Sequence, residues 1–192
     1  LYSDMTTYRV ALIGTGRVGY QFNFSDLPDN HAEAICAHPR CALVAGANRG
    51  RDKLVDFGQR FDVSALYHDY RQMLREVAPD ICIITTHPQH HAEMVTACAA
   101  EPTTQAIICE KPMALSTEEC DAMIDACQRA DVLLQINHNR RWHPEWNLAK
   151  HLLDEGAIGR ILNFRGTYLQ DWSADPDSPL SWRFQKKIAI IR

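Results

Sequence analysis

Three glycines near the start of the chain, Gly14, Gly16 and Gly19, follow the apolar run Val10 to Ile13 and form the pattern G-x-G-x-x-G. A turn of this kind between a strand and a helix binds the pyrophosphate of a dinucleotide. The first glycine permits the sharp exit from the strand, the second admits the pyrophosphate, and the third lets the helix approach the sheet. The pyrophosphate accepts hydrogen bonds from free N–H groups at the helix start. We therefore expect five residues to contact the cofactor: Gly14, Gly16, Arg17, Val18 and Gly19.

A second candidate site is the tripeptide Glu110-Lys111-Pro112, which follows the apolar run Ala106 to Cys109. Ligands of open parallel sheets bind at the carboxyl ends of the strands, where this tripeptide would lie. A lysine there would hold and polarise a reacting hydroxyl, and a nearby positive cofactor ring would lower the lysine pKa. Glu110 would pair with a polar neighbour or the cofactor amide, and proline makes a cis peptide bond accessible. An exposed charge pair before a proline is the alternative interpretation of the tripeptide.

The residue after the second strand governs cofactor preference, because an acidic side chain there binds the ribose 2′-hydroxyl of NAD. This position holds Asn48, followed by Arg49 and Arg51. An amide does not repel a 2′-phosphate and arginines attract one, so the sequence favours NADP slightly over NAD. A solvated loop is the alternative interpretation of the arginines. The interval from Gly19 to Asn48 exceeds the usual spacing of roughly 20 residues, and we interpret residues 22–30 as an inserted loop of unknown role.

Nine histidines raise the question of a metal site, and His87, His90 and His91 lie close together in the sequence. No Cys, Asp or Glu completes a zinc ligand set at typical spacing, so we expect no metal. Three other histidines are expected at the surface or at the rim of a cleft: His138, His143 and His151. Of these, His143 could reach a substrate.

Apolar runs alternate with helical patterns along most of the chain. Continuous apolar strands are typical of a parallel sheet that is covered on both faces. Strands are predicted at Val10–Ile13, Ala42–Ala47, Ala65–Tyr67, Ile81–Ile84, Ala106–Cys109 and Val132–Ile136. Helical patterns cover Leu54–Phe57, Tyr70–Val77, His90–Ala100 and, after a capping box at Ser116–Glu119, Cys120–Cys127. The predicted fold class is α/β: a doubly wound parallel sheet of the Rossmann type, followed by the start of a second α/β domain.

A polar and aromatic segment, 139–144, interrupts this alternation and marks the predicted domain boundary. We expect a dinucleotide-binding domain over 1–139 and the start of a substrate and oligomerisation domain over 140–192. A helix, a turn and the first strand of a new sheet are predicted at Trp146–Asp154, Gly156–Gly159 and Ile161–Leu169. The part after Gly159 is too short for a core of its own, so the second domain is expected to be incomplete.

Several ordered motifs resemble the Gfo/Idh/MocA family, named for glucose-fructose oxidoreductase and inositol dehydrogenase. They are the glycine turn, the E-K-P tripeptide, a T-x-x-x-x-H-x-x-M segment from Thr86 through His91 to Met94, the N-R-R-[FW]-x-P segment at 139–144, and the G-x-I-G turn at 156–159. Family members transfer a hydride between NAD or NADP and a sugar, inositol or related polyol, and the resemblance implies that activity here. It implies Lys111 as the catalytic residue. It also implies further cofactor contacts from Asn48, Arg49, Thr85, Thr86, His91, Glu110, Lys111 and Arg141.

The chain also departs from the family pattern. Family members continue past the region of Ser181–Phe184 into a glycine-rich turn and a D-x-x-x-H segment, which are not present in this sequence, and the chain begins without Met. We therefore expect a carboxyl-terminally truncated form that binds dinucleotide weakly and does not turn over a polyol, and a homo-oligomer for a full-length form. A sugar or polyol dehydrogenase and a truncated, non-catalytic dinucleotide-binding module are the two functions that the sequence leaves open.

The composition is that of a soluble enzyme domain, with 46% apolar residues, 23% charged residues and a net charge of −4. The sequence has no basic run, no apolar stretch near the roughly 20 residues that span a bilayer, and no signal-type amino terminus. We expect a cytoplasmic protein with a small-molecule substrate and neither nucleic acid nor membrane as a partner. The seven cysteines include no C-x-x-C pair and are expected to be reduced interior thiols.

Overall fold

The computed structural model of the chain describes residues 6–22, 28–169, 171, 174 and 177. The chain divides into two compact units, of which the first ends at Asn137 and the second begins at His138. The first unit contains the sheet.

A parallel sheet of six strands forms the centre of the first unit. The strands are β1 (Tyr8–Ile13), β2 (Cys41–Ala47), β3 (Ala65–Tyr67), β4 (Ile81–Ile84), β5 (Ala106–Glu110) and β6 (Leu133–Asn137). Their order across the sheet is β3-β2-β1-β4-β5-β6, which is the order of dinucleotide-binding Rossmann folds. The predicted fold class is confirmed for this unit, and each predicted strand end lies within two residues of the observed end.

Helices connect the strands. In the first unit these are α1 (His31–Ala37), α2 (Arg51–Phe61), α3 (Tyr70–Val77), α4 (His91–Ala99) and α5 (Thr117–Arg129), with a π-helical turn at Arg17–Gln21 and a 3-10 turn at Pro88–His90. The second unit contains a 3-10 turn at Asn139–Trp142 and α6 (Pro144–Asp154). No helix in the described ranges is long and apolar enough to cross a bilayer.

The capping box predicted at the start of α5 is present in a shifted form. Ser116 Oγ accepts a hydrogen bond from the Glu119 backbone N–H at 3.2 Å, as the motif requires. The Glu119 carboxylate accepts from the backbone N–H of Leu115 at 2.9 Å, one residue before the capping serine. Both bonds satisfy N–H groups around the helix start, so the helix begins where the sequence predicts.

Both faces of the sheet are buried, which explains why its strands are continuously apolar. Successive side chains of a strand point to opposite faces. In β1, Val10 and Leu12 pack in one core cluster with Phe57, whereas Ala11 and Ile13 pack in the other, on the side of α4 and α5. None of the four positions Val10–Ile13 faces water, so no alternation of apolar and polar residues is needed there.

Two expectations about the fold are wrong, and one helix was not predicted. The segment Ile161–Leu169 is irregular and exposed rather than a strand, because no described segment pairs with it and a strand requires the hydrogen bonds of a partner. The interval before β2 contains the helix α1, of which the sequence analysis predicted nothing. Cys36 is exposed, because α1 turns Ala32 and Ile35 toward the core instead. The other cysteines are free thiols that are buried or partly buried: Cys41, Cys82, Cys98, Cys109, Cys120 and Cys127.

Candidate active site

The carboxyl ends of adjacent strands meet at one edge of the sheet. The parallel register sets Ile13 beside both Ala47 and Ile84, and it sets Glu110 beside Asn137. The residues that end or follow these strands are, in order across the sheet, Asn48, Gly14, Thr85, Glu110 and Asn137. From β1, the strands β2 and β3 are added on one side and the strands β4, β5 and β6 on the other, so the topological switch point lies between β1 and β4. Such a switch point opens a crevice that binds ligands.

The three glycines of the turn have different surroundings. Gly14 adopts a φ of +103°, and a Cβ atom there would lie 3.0 Å from the carbonyl carbon of Thr85. A Cβ at Gly19 would collide with the carbonyl oxygen of Gly14, whereas a Cβ at Gly16 would meet no atom within 4 Å. Gly14 thus makes the strained exit from the strand, Gly16 leaves an open approach, and Gly19 makes a close packing contact. A pyrophosphate-binding turn uses its three glycines in these three environments.

Side chains from the two neighbouring strands hold this turn. Thr85 Oγ1 donates a hydrogen bond to the carbonyl oxygen of Gly14 at 2.5 Å. From the other side, Asn48 Nδ2 donates to the carbonyl oxygen of Thr15 at 2.9 Å, and Asn48 Oδ1 accepts from the Gly50 N–H at 2.8 Å. The Asn48 amide is therefore oriented from both ends and keeps one N–H for a ligand.

The turn continues into a π-helical turn of five residues, not the longer helix that usually follows such glycines. The N–H groups of Arg17 and Val18 begin it, and neither donates to a backbone acceptor in the described chain. The Arg17 guanidinium is exposed and lies 4.7 Å from the centre of the Phe22 ring. Arg49 is exposed beyond β2, with one guanidinium nitrogen 3.5 Å from His90 Nε2.

Glu110, at the end of β5, forms a small hydrogen-bonded cluster. Glu110 is 9% exposed. Its Oε1 accepts a hydrogen bond from Asn137 Nδ2 at 2.6 Å and lies 3.0 Å from His31 Nε2. Lys111 is exposed beside it. The peptide bond between Lys111 and Pro112 is cis, as expected.

The surroundings keep Glu110 ionised. Burial alone would raise the pKa of its carboxyl, but hydrogen bonds from His31 and Asn137, together with the electrostatic attraction of His31 and Lys111, lower that pKa below its ordinary value. Burial, followed by the negative charge of Glu110, raises the pKa of the neighbouring Cys109 thiol to about 12. Cys109 is therefore protonated at neutral pH and is not a nucleophile.

His91 lies beneath the crevice rather than in it. Its side chain is fully buried, its Nδ1 is 2.9 Å from the carbonyl oxygen of Pro112, and its Nε2 is 3.1 Å from that of Thr86. Thr86 Oγ1 in turn donates to Met94 Sδ at 3.3 Å. A direct contact between His91 and the cofactor does not fit a side chain without exposed surface. The geometry instead makes His91 a link between the segments that follow β4 and β5.

The remaining predicted residues belong to the second unit. Arg141 is exposed in the second unit, and its contact with the cofactor stays a prediction. The three surface histidines are exposed as expected, and two pair with glutamates of the same unit: His143 with Glu145 and His151 with Glu155. Within the described ranges no three His, Cys, Asp or Glu side chains are grouped to hold a metal ion.

Sequence reasoning missed two residues of the cluster, His31 and Asn137. Asn137 lies one position beyond the predicted end of its strand, and extending that strand by one residue would have placed it beside Glu110. The pair Asn30 and Glu33 has the spacing of a helix N-terminus and would have predicted α1. No signal in the sequence places the first residue of that helix against Glu110.

Comparisons with known proteins agree with this geometry. Residues 8–138 match the Gfo/Idh/MocA family described as an oxidoreductase family with an NAD-binding Rossmann fold, and residues 146–189 match the C-terminal domain of the same family. The levoglucosan dehydrogenase of Pseudarthrobacter phenanthrenivorans is 41% identical over 187 residues, which are 96% of this chain and 47% of that protein. The myo-inositol 2-dehydrogenase of Thermotoga maritima is 28% identical over 171 residues, 89% of this chain and 46% of that protein.

A solved structure of levoglucosan dehydrogenase in complex with NADH and L-sorbose matches with a TM-score of 0.84 and 38% identity, over 96% of this chain and 49% of that one. The chain thus spans about half the length of the relatives it matches. The strand order, the glycine turn, the E-K-P tripeptide at the end of β5 and the two matching domains lead to the same assignment. The chain belongs to the Gfo/Idh/MocA family of oxidoreductases.

Proposed function

We propose that this chain provides the cofactor site and the catalytic lysine of an NAD-dependent dehydrogenase that acts on a sugar, inositol or related polyol. The observation that carries the proposal is the position of Lys111. It follows β5 at the same sheet edge as the glycine turn that follows β1, with only β4 between the two strands. An amine and a pyrophosphate-binding turn on one edge are what hydride transfer to a bound dinucleotide requires.

The residues at this edge fit a dinucleotide. The open space in front of Gly16 leaves room for a pyrophosphate that a Cβ would displace. We propose that the free N–H groups of Arg17 and Val18 bind it, and that the remaining amide hydrogen of Asn48 reaches the adenosine ribose. Thr85 and Thr86 would line the crevice between the turn and the E-K-P segment.

The chemistry of the proposed reaction divides between cofactor and protein. Bound NAD would accept a hydride from the carbon that carries the substrate hydroxyl. Lys111 Nζ would hold that hydroxyl oxygen and, in its neutral form, accept the proton as the carbonyl forms. Glu110 stays ionised, and its Oε2 accepts no hydrogen bond from a described residue, so this oxygen is available to the amide of the cofactor.

We propose NAD rather than NADP as the cofactor. Levoglucosan dehydrogenase, which is 38% identical to this chain in its solved structures, has been solved in complexes with NADH. The NADP preference suggested by Asn48 and Arg49 gains no support from the comparisons. Both side chains are compatible with NAD, because Asn48 can donate to a ribose hydroxyl and Arg49 is exposed. Titration of the chain with NADH and NADPH, monitored by nicotinamide fluorescence, tests the choice.

A substrate panel tests the activity. The chain would be incubated with NAD and, separately, levoglucosan, myo-inositol, scyllo-inositol or D-apiose, and NADH formation followed by absorbance. Turnover that is lost in Lys111→Met and kept in the control Lys150→Met, which changes an exposed lysine of the second unit, supports the dehydrogenase. Tight NADH binding without turnover of any substrate supports the non-catalytic binding module instead.

Three further expectations remain proposals. They are a cofactor domain over 1–139 followed by a second domain over 140–192, a homo-oligomer for a full-length form, and a cytoplasmic location. Light scattering on a purified full-length form would test the oligomer, since a monomeric mass at micromolar concentration would contradict it.

A further inference from the structure

Helix α1 brings a histidine into the candidate site from a segment that the proposed function does not use. His31 is the first residue of α1, with a side chain that is 14% exposed. Its Nε2 lies 3.0 Å from Glu110 Oε1 and 3.4 Å from Asn137 Nδ2. Because α1 belongs to the long interval between the glycine turn and β2, this interval has a function at the site beyond connecting two strands.

The start of α1 is held rigidly. Asn30, which precedes the helix, is buried, its Oδ1 accepts from the Glu33 N–H at 3.0 Å, and its Nδ2 donates to the carbonyl oxygen of Phe22 at 2.9 Å. The helix is also anchored in the core through Ala32 and Ile35. The backbone at the start of α1 is therefore held in place, and the largely buried imidazole that it carries reaches Glu110.

Hydrogen-bond chemistry determines what His31 does there. A carboxylate only accepts, so Nε2 of His31 must carry the hydrogen that Glu110 Oε1 receives. Asn137 donates to the same oxygen. Both donors thus hold Oε1, and Oε2 is left without a hydrogen bond from any described residue. Rotation of the carboxylate would break both bonds, so its orientation is fixed.

We infer that His31 is a positioning residue, which with Asn137 orients Glu110 so that Oε2 receives the carboxamide N–H of the nicotinamide. The inference rests on the proposed function. The glycine turn and Asn48 hold the adenosine and pyrophosphate parts from β1 and β2, whereas His31 acts through the end of β5. Loss of His31 therefore weakens the binding of the nicotinamide end and leaves the ADP-ribose part unaffected.

The test compares two ligands that differ in that end. Wild type, His31→Ala and His31→Gln would be titrated calorimetrically with NADH and with ADP-ribose, which lacks the nicotinamide. We expect His31→Ala to weaken NADH binding about tenfold, the effect of losing a hydrogen bond to a charged group, with ADP-ribose affinity unchanged. His31→Gln should restore NADH binding, because the glutamine amide supplies a donor near the position of Nε2. His38→Ala, at the exposed carboxyl end of the same helix, is the control and should bind both ligands like wild type.

The outcomes separate a positioning residue from a structural one. Equal weakening of both ligands in His31→Ala, accompanied by a lower melting temperature that His31→Gln restores, would show that the histidine only supports the fold and would overturn the inference. Unchanged NADH affinity in His31→Ala would overturn it as well, with the proposed function intact. Failure of the wild-type chain to bind either ligand would instead overturn the proposed function, and the inference with it.

Discussion

Replacement of Gly16 by valine separates cofactor binding from folding. Gly16 has φ −119° and ψ −159°, an extended backbone that β-branched residues adopt readily. A Cβ there meets nothing within 4 Å, so the side chain enters open space. The substitution also reduces the freedom of the unfolded chain, which stabilises by about 0.4–1 kcal/mol where the native backbone is compatible. We therefore expect the free energy of unfolding of Gly16→Val to stay equal to wild type or to rise within this range.

The same side chain occupies the space that a pyrophosphate needs. We expect NADH affinity to fall at least about 100-fold, which corresponds to about 2.8 kcal/mol. Gly19→Ala is the matched variant, because its single methyl group collides with the carbonyl oxygen of Gly14 and lies 3.1 Å from Thr85 Oγ1. Overpacking of this kind costs about 1–3 kcal/mol of stability.

Two measurements on each variant decide the matter: urea unfolding without ligand, and calorimetric titration with NADH. Wild-type affinity in Gly16→Val would refute the assignment of the pyrophosphate to this turn. A loss of stability in Gly16→Val as large as in Gly19→Ala would refute the reasoning from open space and close packing, since the two glycines would then have equivalent surroundings.

Three further predictions concern the strand ends. Asn48→Asp should lower NADPH affinity relative to NADH about tenfold and, because the bond to the Thr15 carbonyl is lost, should cost about 1 kcal/mol of stability; an unchanged affinity ratio in paired titrations would contradict this position at the ribose. Where the substrate panel gives turnover, Lys111→Met should reduce polyol-dependent NADH formation at least about 100-fold with only a small fall in melting temperature, since the attraction between this exposed side chain and Glu110 is screened by solvent; unchanged turnover would exclude the lysine as the acid–base group. Glu110 has a lowered pKa, so its contribution to stability is fully present above the ordinary value of 4.5 and is lost as the pH falls through the lower pKa of the folded protein. Glu110→Gln should therefore show a shallower acid loss of unfolding free energy than wild type, and parallel curves would contradict the cluster.

The sequence predicted the sheet well because the relevant signal is local. Each strand is a short apolar run bounded by turns, and burial on both faces, as for Val10 and Ala11, preserves that run without interruption. The segment Ile161–Leu169 also contains several apolar residues but is no strand in the structure. Apolar content indicates that a segment needs burial, whereas pairing depends on a partner strand that local composition does not reveal. Helix α1 was missed because its seven residues are too few for a clear period.

The candidate site divides along the same line. The glycine turn and the E-K-P tripeptide carry their chemistry within a few consecutive residues, so pattern and spacing predicted their place at the strand ends. The contact between His31 and Glu110 joins positions 79 residues apart, and no periodicity reports it. The burial of His91 was missed for a related reason, because a histidine in a motif indicates proximity to a site and does not indicate on which side of the backbone it lies.

The burial of Glu110 shows why these long-range contacts matter. Taking a carboxylate out of water costs several kcal/mol unless hydrogen bonds and opposite charge compensate. Here the compensation comes from three separate places: α1 through His31, β6 through Asn137, and the next residue, Lys111. An exposed glutamate would be ionised at no such cost, but its two oxygens would be free to rotate. A carboxylate held on one oxygen from two elements is oriented before any ligand arrives, and preorganised groups of this kind lose the least free energy when they bind or stabilise a reacting centre.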